Sequence, residues 1–295
     1  MKGEQNMSIL TEQYTLSNGV KIPKIGFGTW LVDDDKVVEP VKDAIKAGYR
    51  HIDTAQAYGN EHGVGEGIRH SGVARKDIFV TTKLEAEIKT YGEAAKAIDQ
   101  SLDRMGLDSI DLMIIHSPQP WDDFKNGEHY FEGNLAAWRA MEEAYNNGKL
   151  RAIGVSNFEK EDLENILENG TVKPMVNQVL AHISNTPFDL IEFCQNHGIL
   201  VEAYSPVAHG EILNNQAVKD MAEKYEVSTA QLSIRYCLQL GMLPLPKSEN
   251  PDHIRSNADL DFEISAEDMN QLKRIERIKD YGEANAFPVF EKAKE

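Results

Sequence analysis

A (β/α)8 barrel, the TIM-barrel architecture, is the fold this sequence predicts, on three observations. Short β-type runs alternate with stretches of helical spacing almost to the end of the chain, the runs number eight, and no glycine fingerprint of a doubly wound dinucleotide-binding sheet accompanies them. A chain of 295 residues also suits one barrel as a single domain. Its 41% hydrophobic and 27% charged residues are ordinary for a globular protein.

The elements follow in order. Residues 1–12 are polar and mixed in charge and read as a flexible segment, with a single barrel domain over 13–295. A hairpin is expected at 14–16 and 20–22 around the turn residues Asn18-Gly19. The eight β-type runs lie at 25–29, 51–53, 78–83, 112–116, 152–156, 175–178, 200–204 and 243–246. Between them, apolar residues recur at helical spacing, as in Val37-Val41-Ala44-Ile45, Ala94-Ala97-Ile98-Leu102 and Leu135-Trp138-Met141-Ala144. Several of these stretches close on a glycine, such as Gly48, Gly106 or Gly148. A short helix is expected at 251–257, and a C-terminal helix and tail finish the chain. Strands joined by helices need crossover connections and so run parallel, and eight of them suit a closed ring. The rival open sheet would carry G-x-G-x-x-G after its first strand. Here Gly26-Phe27-Gly28 is followed by Leu31, and Gly63-Val64-Gly65 by Ile68, where the third glycine should stand.

Composition excludes several functions. A formal charge of −17 opposes a polyphosphate backbone, so no nucleic-acid partner is expected. Cys194 and Cys237 make no disulfide framework and read as reduced core residues. The first ten residues lack the apolar stretch of a signal peptide, and no long uncharged apolar run occurs, so a cytoplasmic protein without a membrane partner is expected. The chain shows no P-loop, no H-E-x-x-H and no paired C-x-x-C.

In such a barrel the chemistry lies at the C-terminal ends of the strands. Asp53, Lys83 and His116 end the second, third and fourth strands, and Tyr58 follows Asp53 in the same loop. Each alone has a structural reading: a helix cap, a solvated lysine, a packed histidine, a loop aromatic. Together at successive strand ends they suit carbonyl reduction, in which hydride addition leaves an oxygen that must take a proton. Tyr58 is the candidate acid. A phenol has a pKa of about 10, so Lys83 is needed to favour its phenolate, with Asp53 holding the lysine and His116 polarising the carbonyl oxygen. No metal is required. Rival readings are a barrel that binds nicotinamide cofactor without turnover, as a regulatory or structural subunit, and a metal-assisted hydrolase or isomerase using Asp53 and His116 as ligands, against which Lys83 argues electrostatically.

The run from Gly48 through Tyr49-Arg50-His51-Ile52-Asp53-Thr54-Ala55-Gln56-Ala57-Tyr58-Gly59-Asn60-Glu61 closely resembles the first signature of the aldo-keto reductases. Gly26-Phe27-Gly28-Thr29-Trp30, Ile114-Ile115-His116, the stretch 148–158, Ala203-Tyr204-Ser205-Pro206 and Leu245-Pro246-Lys247-Ser248 extend the resemblance over nearly the whole chain. It is nearest to the bacterial-type branch of diketogluconate reductases, glyoxal reductases and prostaglandin F synthase-like enzymes. The resemblance implies that Asp53, Tyr58, Lys83 and His116 form a catalytic tetrad. It implies that Ser156, Asn157 and Gln178 hold a nicotinamide carboxamide, that Tyr204 stacks on the ring, and that Ser205 and Pro206 run beside the pyrophosphate. Lys247 and Ser248 would hold an adenosine 2′-phosphate, with Asn257 at the adenine.

Two departures stand out. The family usually has Arg six positions beyond that Lys, where this chain has His253, and Arg255 falls on the other side of a helix. NADPH is the preferred cofactor, through Lys247, Ser248 and a protonated His253, with NADH use open. The family also often has Trp after the catalytic histidine, where Ser117 stands. The expected substrate pocket is formed by Trp30, Tyr58, His116, Ser117 and Trp121, with the residues around Phe287 and Phe290. Small aldehydes, dicarbonyls such as glyoxals, keto sugars and keto acids are the implied substrates. No obligate protein partner is implied.

Overall fold

The computed structural model describes residues 8–290. Two hairpin strands, β1 (Gln13–Thr15) and β2 (Lys21–Pro23), pair antiparallel with Tyr14 opposite Ile22. Each boundary lies one residue further from the turn than the spacing suggested, because Leu16 is buried and Gly19 turns the chain at a φ of 87°. The hairpin lies against the N-terminal ends of the barrel strands. Tyr14 donates from its hydroxyl to the Met242 carbonyl at 3.3 Å, and Asn18 donates from Nδ2 to the Arg151 carbonyl at 3.0 Å. Of the expected flexible segment 1–12, residues 1–7 lie outside the described residues. Ile9–Thr11 form a 3-10 turn that buries Ile9.

Eight parallel strands follow: β3 (Phe27–Gly28), β4 (His51–Asp53), β5 (Phe79–Leu84), β6 (Leu112–Ile115), β7 (Ile153–Ser156), β8 (Val176–Leu180), β9 (Leu200–Tyr204) and β10 (Leu243–Leu245). They pair in sequence order, from β3 beside β4 to β9 beside β10. Val80, Leu112, Ile114, Ile153 and Val155 are all buried, as expected of a parallel sheet covered on both faces. The ring closes where Gly26 N–H donates to the Pro244 carbonyl at 3.1 Å and Gly28 N–H to the Pro246 carbonyl at 3.0 Å. Proline accounts for the shortness of β3 and of this seam. The return bond to the Gly26 carbonyl would come from residue 246, and Pro246 has no N–H to give. A Cβ on Gly26 would lie 2.5 Å from Leu245 Cδ2, so the first and last strands meet only around a glycine.

Helices α1 (Val38–Ala47), α2 (Glu61–Arg69), α3 (Tyr91–Met105), α4 (Phe131–Asn146), α5 (Lys160–Asn169) and α6 (Phe188–Asn196) join the successive strands, and α7 (Gln216–Lys224) and α8 (Thr229–Gln239) both lie between β9 and β10. Their ends match the residue chemistry. Thr90 accepts from Glu93 N–H to start α3, and Gly48 and Gly106 end α1 and α3 in the left-handed conformation. After β10 come α9 (Pro251–Ser256), beside α1, and α10 (Ala266–Leu272). The tail then crosses the C-terminal mouth, where Phe290 packs against Trp30 and Tyr281. No described helix is long and apolar enough to cross a membrane.

Candidate active site

Strand order brings the C-terminal ends of β4 and β5 side by side, with Asp53 opposite Thr81 in the ladder, so Asp53 and Lys83 extend into one mouth. The loop after β4 is held from both sides. Asn60 donates from Nδ2 to the Thr29 and Val32 carbonyls, and accepts from Thr54 Oγ1 at 2.6 Å. Gln56 donates to the Ala97 carbonyl and Ser101 Oγ on α3 and accepts from Glu85 N–H. Tyr58 thus ends a fixed 3-10 turn, Gln56–Tyr58, with Gly59 closing it at a φ of 67°.

Lys83 is fully buried and its ammonium makes three bonds: 2.6 Å to Asp53 Oδ2, 2.9 Å to the Thr54 carbonyl and 3.1 Å to the Tyr58 hydroxyl. Burial alone would lower the lysine pKa. The Asp53 charge, Tyr58 and the bonds to both outweigh it, and the net shift is upward. Burial likewise dominates at Tyr58 and raises its pKa, with Lys83 offsetting part of the rise and Asp53 adding to it. Lys83 thus acts in the expected direction on the phenol, but desolvation of the phenolate outweighs the cation's attraction and the net shift is upward.

His116 lies beside Tyr58, ring centroids 5.7 Å apart, and Trp121 meets its other side edge-on at 5.1 Å. Burial, reinforced by the Lys83 charge, holds His116 well below the usual histidine pKa, so it is a neutral imidazole. Its Nδ1 is enclosed without a partner among the described residues.

Three of the four groups stand in the wall of a cavity of about 760 Å3. Asp53, Tyr58, His116, Ser156, Asn157, Gln178, Tyr204, Ser205, Pro206 and Lys247 border it, as do Trp30, Trp121, Phe287 and Phe290, while Lys83 lies behind Tyr58 and Asp53. Ser156 donates to the Gln178 carbonyl at 2.7 Å. Asn157, at a φ of 59° that asparagine tolerates, donates to the His116 carbonyl at 3.0 Å and accepts from the Tyr204 hydroxyl at 2.7 Å, which sets the tilt of that ring.

Ser117 does not border the cavity. It is buried, and its hydroxyl accepts from Gln119 N–H. Ser248, His253 and Asn257 also lie outside the lining. Ser248 is tied to Asn250, while Lys247 pairs with Glu249 at 2.8 Å and Arg255 with Asp252. Residues that sequence reasoning passed over include Leu31, His209 and Gly210 in the wall, and Glu202 beneath it. Glu202 had a readable signal: a charged residue in the middle of a strand buried on both faces.

Among the described residues no group of three or more His, Cys, Asp or Glu side chains is placed to hold a metal. The donor set instead suits a flat aromatic ligand carrying an amide. The ring of Tyr204 and the amide of Gln178 border the same cavity as Tyr58, and its volume of about 760 Å3 is of the size that holds a small-molecule ligand.

Known proteins bear on this geometry. The sequence model of the aldo/keto reductase family matches residues 24–277. Glyoxal reductase of Bacillus subtilis (strain 168) is 42% identical over 275 residues, covering 92% of this chain and 96% of that protein. The crystal structure of an aldo/keto reductase from Brucella melitensis superposes with a TM-score of 0.84 at 38% identity, over 89% of this chain and 97% of that one. A Bombyx mori aldo-keto reductase solved in complex with NADP superposes at 0.83 with 33% identity, over 95% of this chain and 98% of that one. The chain belongs to the aldo/keto reductase family and is an NAD(P)H-dependent oxidoreductase.

Proposed function

We propose that the protein reduces small aldehydes, dicarbonyls and ketones to alcohols, with Tyr58 as the proton donor. The observation that carries this reading is the line from Asp53 to Lys83 to the Tyr58 hydroxyl, at 2.6 and 3.1 Å, ending in the cavity wall beside His116. A bound reduced nicotinamide supplies the hydride. The protein supplies the rest.

Tyr58 is protonated at rest because its burial raises the phenol pKa, as a donor requires. When the proton leaves, the Lys83 ammonium 3.1 Å away stabilises the phenolate, and Asp53 keeps that ammonium in place. A neutral His116 donates one N–H toward the carbonyl oxygen without competing as a stronger acid. Gln178, Ser156 and Asn157 orient the carboxamide, Tyr204 carries the ring, and Ser205 and Pro206 run beside the pyrophosphate. The aromatic walls Trp30, Trp121, Phe287 and Phe290 exclude water and favour compact, partly apolar carbonyl compounds. Trp121 provides the aromatic contact to His116 that Ser117 does not. The similarity to a protein named glyoxal reductase favours dicarbonyls.

NADPH is the cofactor this reading prefers, through Lys247, Ser248 and His253, with Asn257 at the adenine. The Bombyx mori relative bound to NADP supports it. The test is a carbonyl panel including phenylglyoxal, run with NADPH and NADH in parallel. Cofactor oxidation dependent on the carbonyl is expected. Saturable cofactor binding without oxidation across the panel would favour a non-catalytic barrel.

A further inference from the structure

The hydrogen-bonded line through the site does not stop at Asp53. Gln178 Nε2 donates to Asp53 Oδ1 at 2.9 Å and to Glu202 Oε2 at 2.7 Å. Both N–H groups of its amide are thereby used, which leaves the carbonyl end for the cavity that Gln178 borders. Glu202 is fully buried, and its Oε1 has no partner among the described residues.

The charges in this cluster do not balance. One ammonium, Lys83, faces two carboxyl groups, and it touches Asp53. On neighbouring strands Glu202 meets the neutral amide of Gln178 and, across the β9–β10 ladder, Leu243. His51, two residues before Asp53 on β4, is neutral, since burial and then the Lys83 charge push its pKa down to about 3. Tyr58 and Tyr204 are both protonated, their pKa values raised chiefly by burial. Glu202 is therefore the carboxyl left without a cation. Burial, with the Asp53 charge adding to it, pushes its pKa up to about 8 against the partial offset of Gln178 and Lys83.

On the functional reading above, hydride and proton must reach the carbon and oxygen of one carbonyl group. The nicotinamide ring must then lie beside the Tyr58 oxygen, against Gln178 and Tyr204. Glu202 precedes Tyr204 by two residues on β9, so both side chains leave the same face of the strand, and the carboxyl lies one layer beneath that seat. We propose that Glu202 is a positioning residue of the cofactor site: its carboxyl fixes the Gln178 amide with the carbonyl toward the cavity, and its loss of a proton places a negative charge under the ring that favours the oxidised, cationic nicotinamide over the neutral reduced one.

The sign follows from linkage. Raising the pH through about 8 converts Glu202 to its anion, so the ratio of the NADP+ dissociation constant to that of NADPH falls. One charge a few ångströms below the ring in a partly screened interior gives a change of about tenfold. By reciprocity, NADP+ expels a proton on binding and NADPH does not. The ratio also cancels titrations at the phosphates, which the two forms share.

The test uses binding alone. Both dissociation constants are measured by tryptophan fluorescence from about pH 6 to about pH 9.5 in Tyr58→Phe protein, so that no phenol at position 58 contributes, and again with Glu202→Gln added. The expected result is a roughly tenfold fall in the ratio in the first protein and a flat ratio in the second. Calorimetry of the first protein in two buffers of different ionisation heat should show proton release with NADP+, and this decides the matter even where the double variant fails to fold. A flat ratio without proton release in the first protein, or an equal slope in both, overturns the assignment. Failure to bind either form at any pH removes the functional reading itself, and this inference with it.

Discussion

At Tyr58 two opposed effects meet, and their balance determines what the residue can do. Burial keeps the phenol protonated, and on the proposed mechanism Lys83 at 3.1 Å would limit the cost of losing the proton during turnover. Tyr58→Phe should lower the reduction rate by about a thousandfold while the cofactor dissociation constant changes less than about twofold, as single-turnover kinetics and a binding titration would report. Retained turnover would remove the assigned role. Lys83→Met has a second consequence, because it leaves the Asp53 carboxylate buried without its cation. A stability loss of about 3–5 kcal/mol is expected, read from the shift of the urea midpoint. Where the proposal puts the adenine end, Lys247 pairs with Glu249 and Arg255 with Asp252, so those cations are already partly neutralised by their own neighbours. His253→Arg adds one that is permanently charged. It should lower the Michaelis constant for NADPH more than that for NADH, and an equal effect on both would take position 253 out of the cofactor site.

The elements explain why some residues were legible in the sequence and others were not. Asp53, Lys83 and His116 could be read because each ends a β-type run, and a barrel brings strand ends to one face whatever its details. Ser117 was misread as a pocket wall for the same geometrical reason: the residue after an inward-facing strand end points the opposite way. Glu202 is conspicuous as a charge inside an otherwise apolar run, but no local pattern says that the amide of Gln178 will reach it. The pKa direction at Tyr58 was also unreadable, because spacing shows which charges are near but not how much water has been removed. Helix α2 records a further constraint that sequence pattern alone does not explain. It carries Gly63, Gly65 and Gly67, and a Cβ at Gly65 would stand 2.2 Å from the Met105 carbonyl oxygen at the end of α3. Backbone cannot yield as a flexible side chain can, so Gly65→Ala should cost about 1–3 kcal/mol, measurable as a lowered thermal midpoint with unchanged cofactor binding.

Across the whole molecule, three buried histidines set the acid limit of the fold. Burial holds His51 to about 3, His182 to about 4 and His116 well below its usual value, so the folded protein refuses protons that the unfolded chain accepts below about pH 6.5. Stability should therefore fall as the pH drops from about 6.5 toward 4, by up to about 4 kcal/mol per pH unit for the three together. Glu202 acts in the other direction. The folded state keeps a proton that the unfolded chain gives up above about pH 4.3, so its contribution is lost as the pH rises toward about 8. Urea denaturation across this range should show the acid slope reduced in His182→Asn and the alkaline decline reduced in Glu202→Gln.

The seam where Gly26 and Gly28 meet Pro244 and Pro246 has a consequence for how the protein is made. A nascent chain carries Asp53, Tyr58, Lys83 and His116 early, yet the lining residues Gln178 and Tyr204, the final strand and the aromatic tail emerge long afterwards. Ring closure joins the first barrel strand to the last, so the complete pocket lining is expected only once both strands are present. On the proposed mechanism, catalysis would have to wait for the last strand to close the ring.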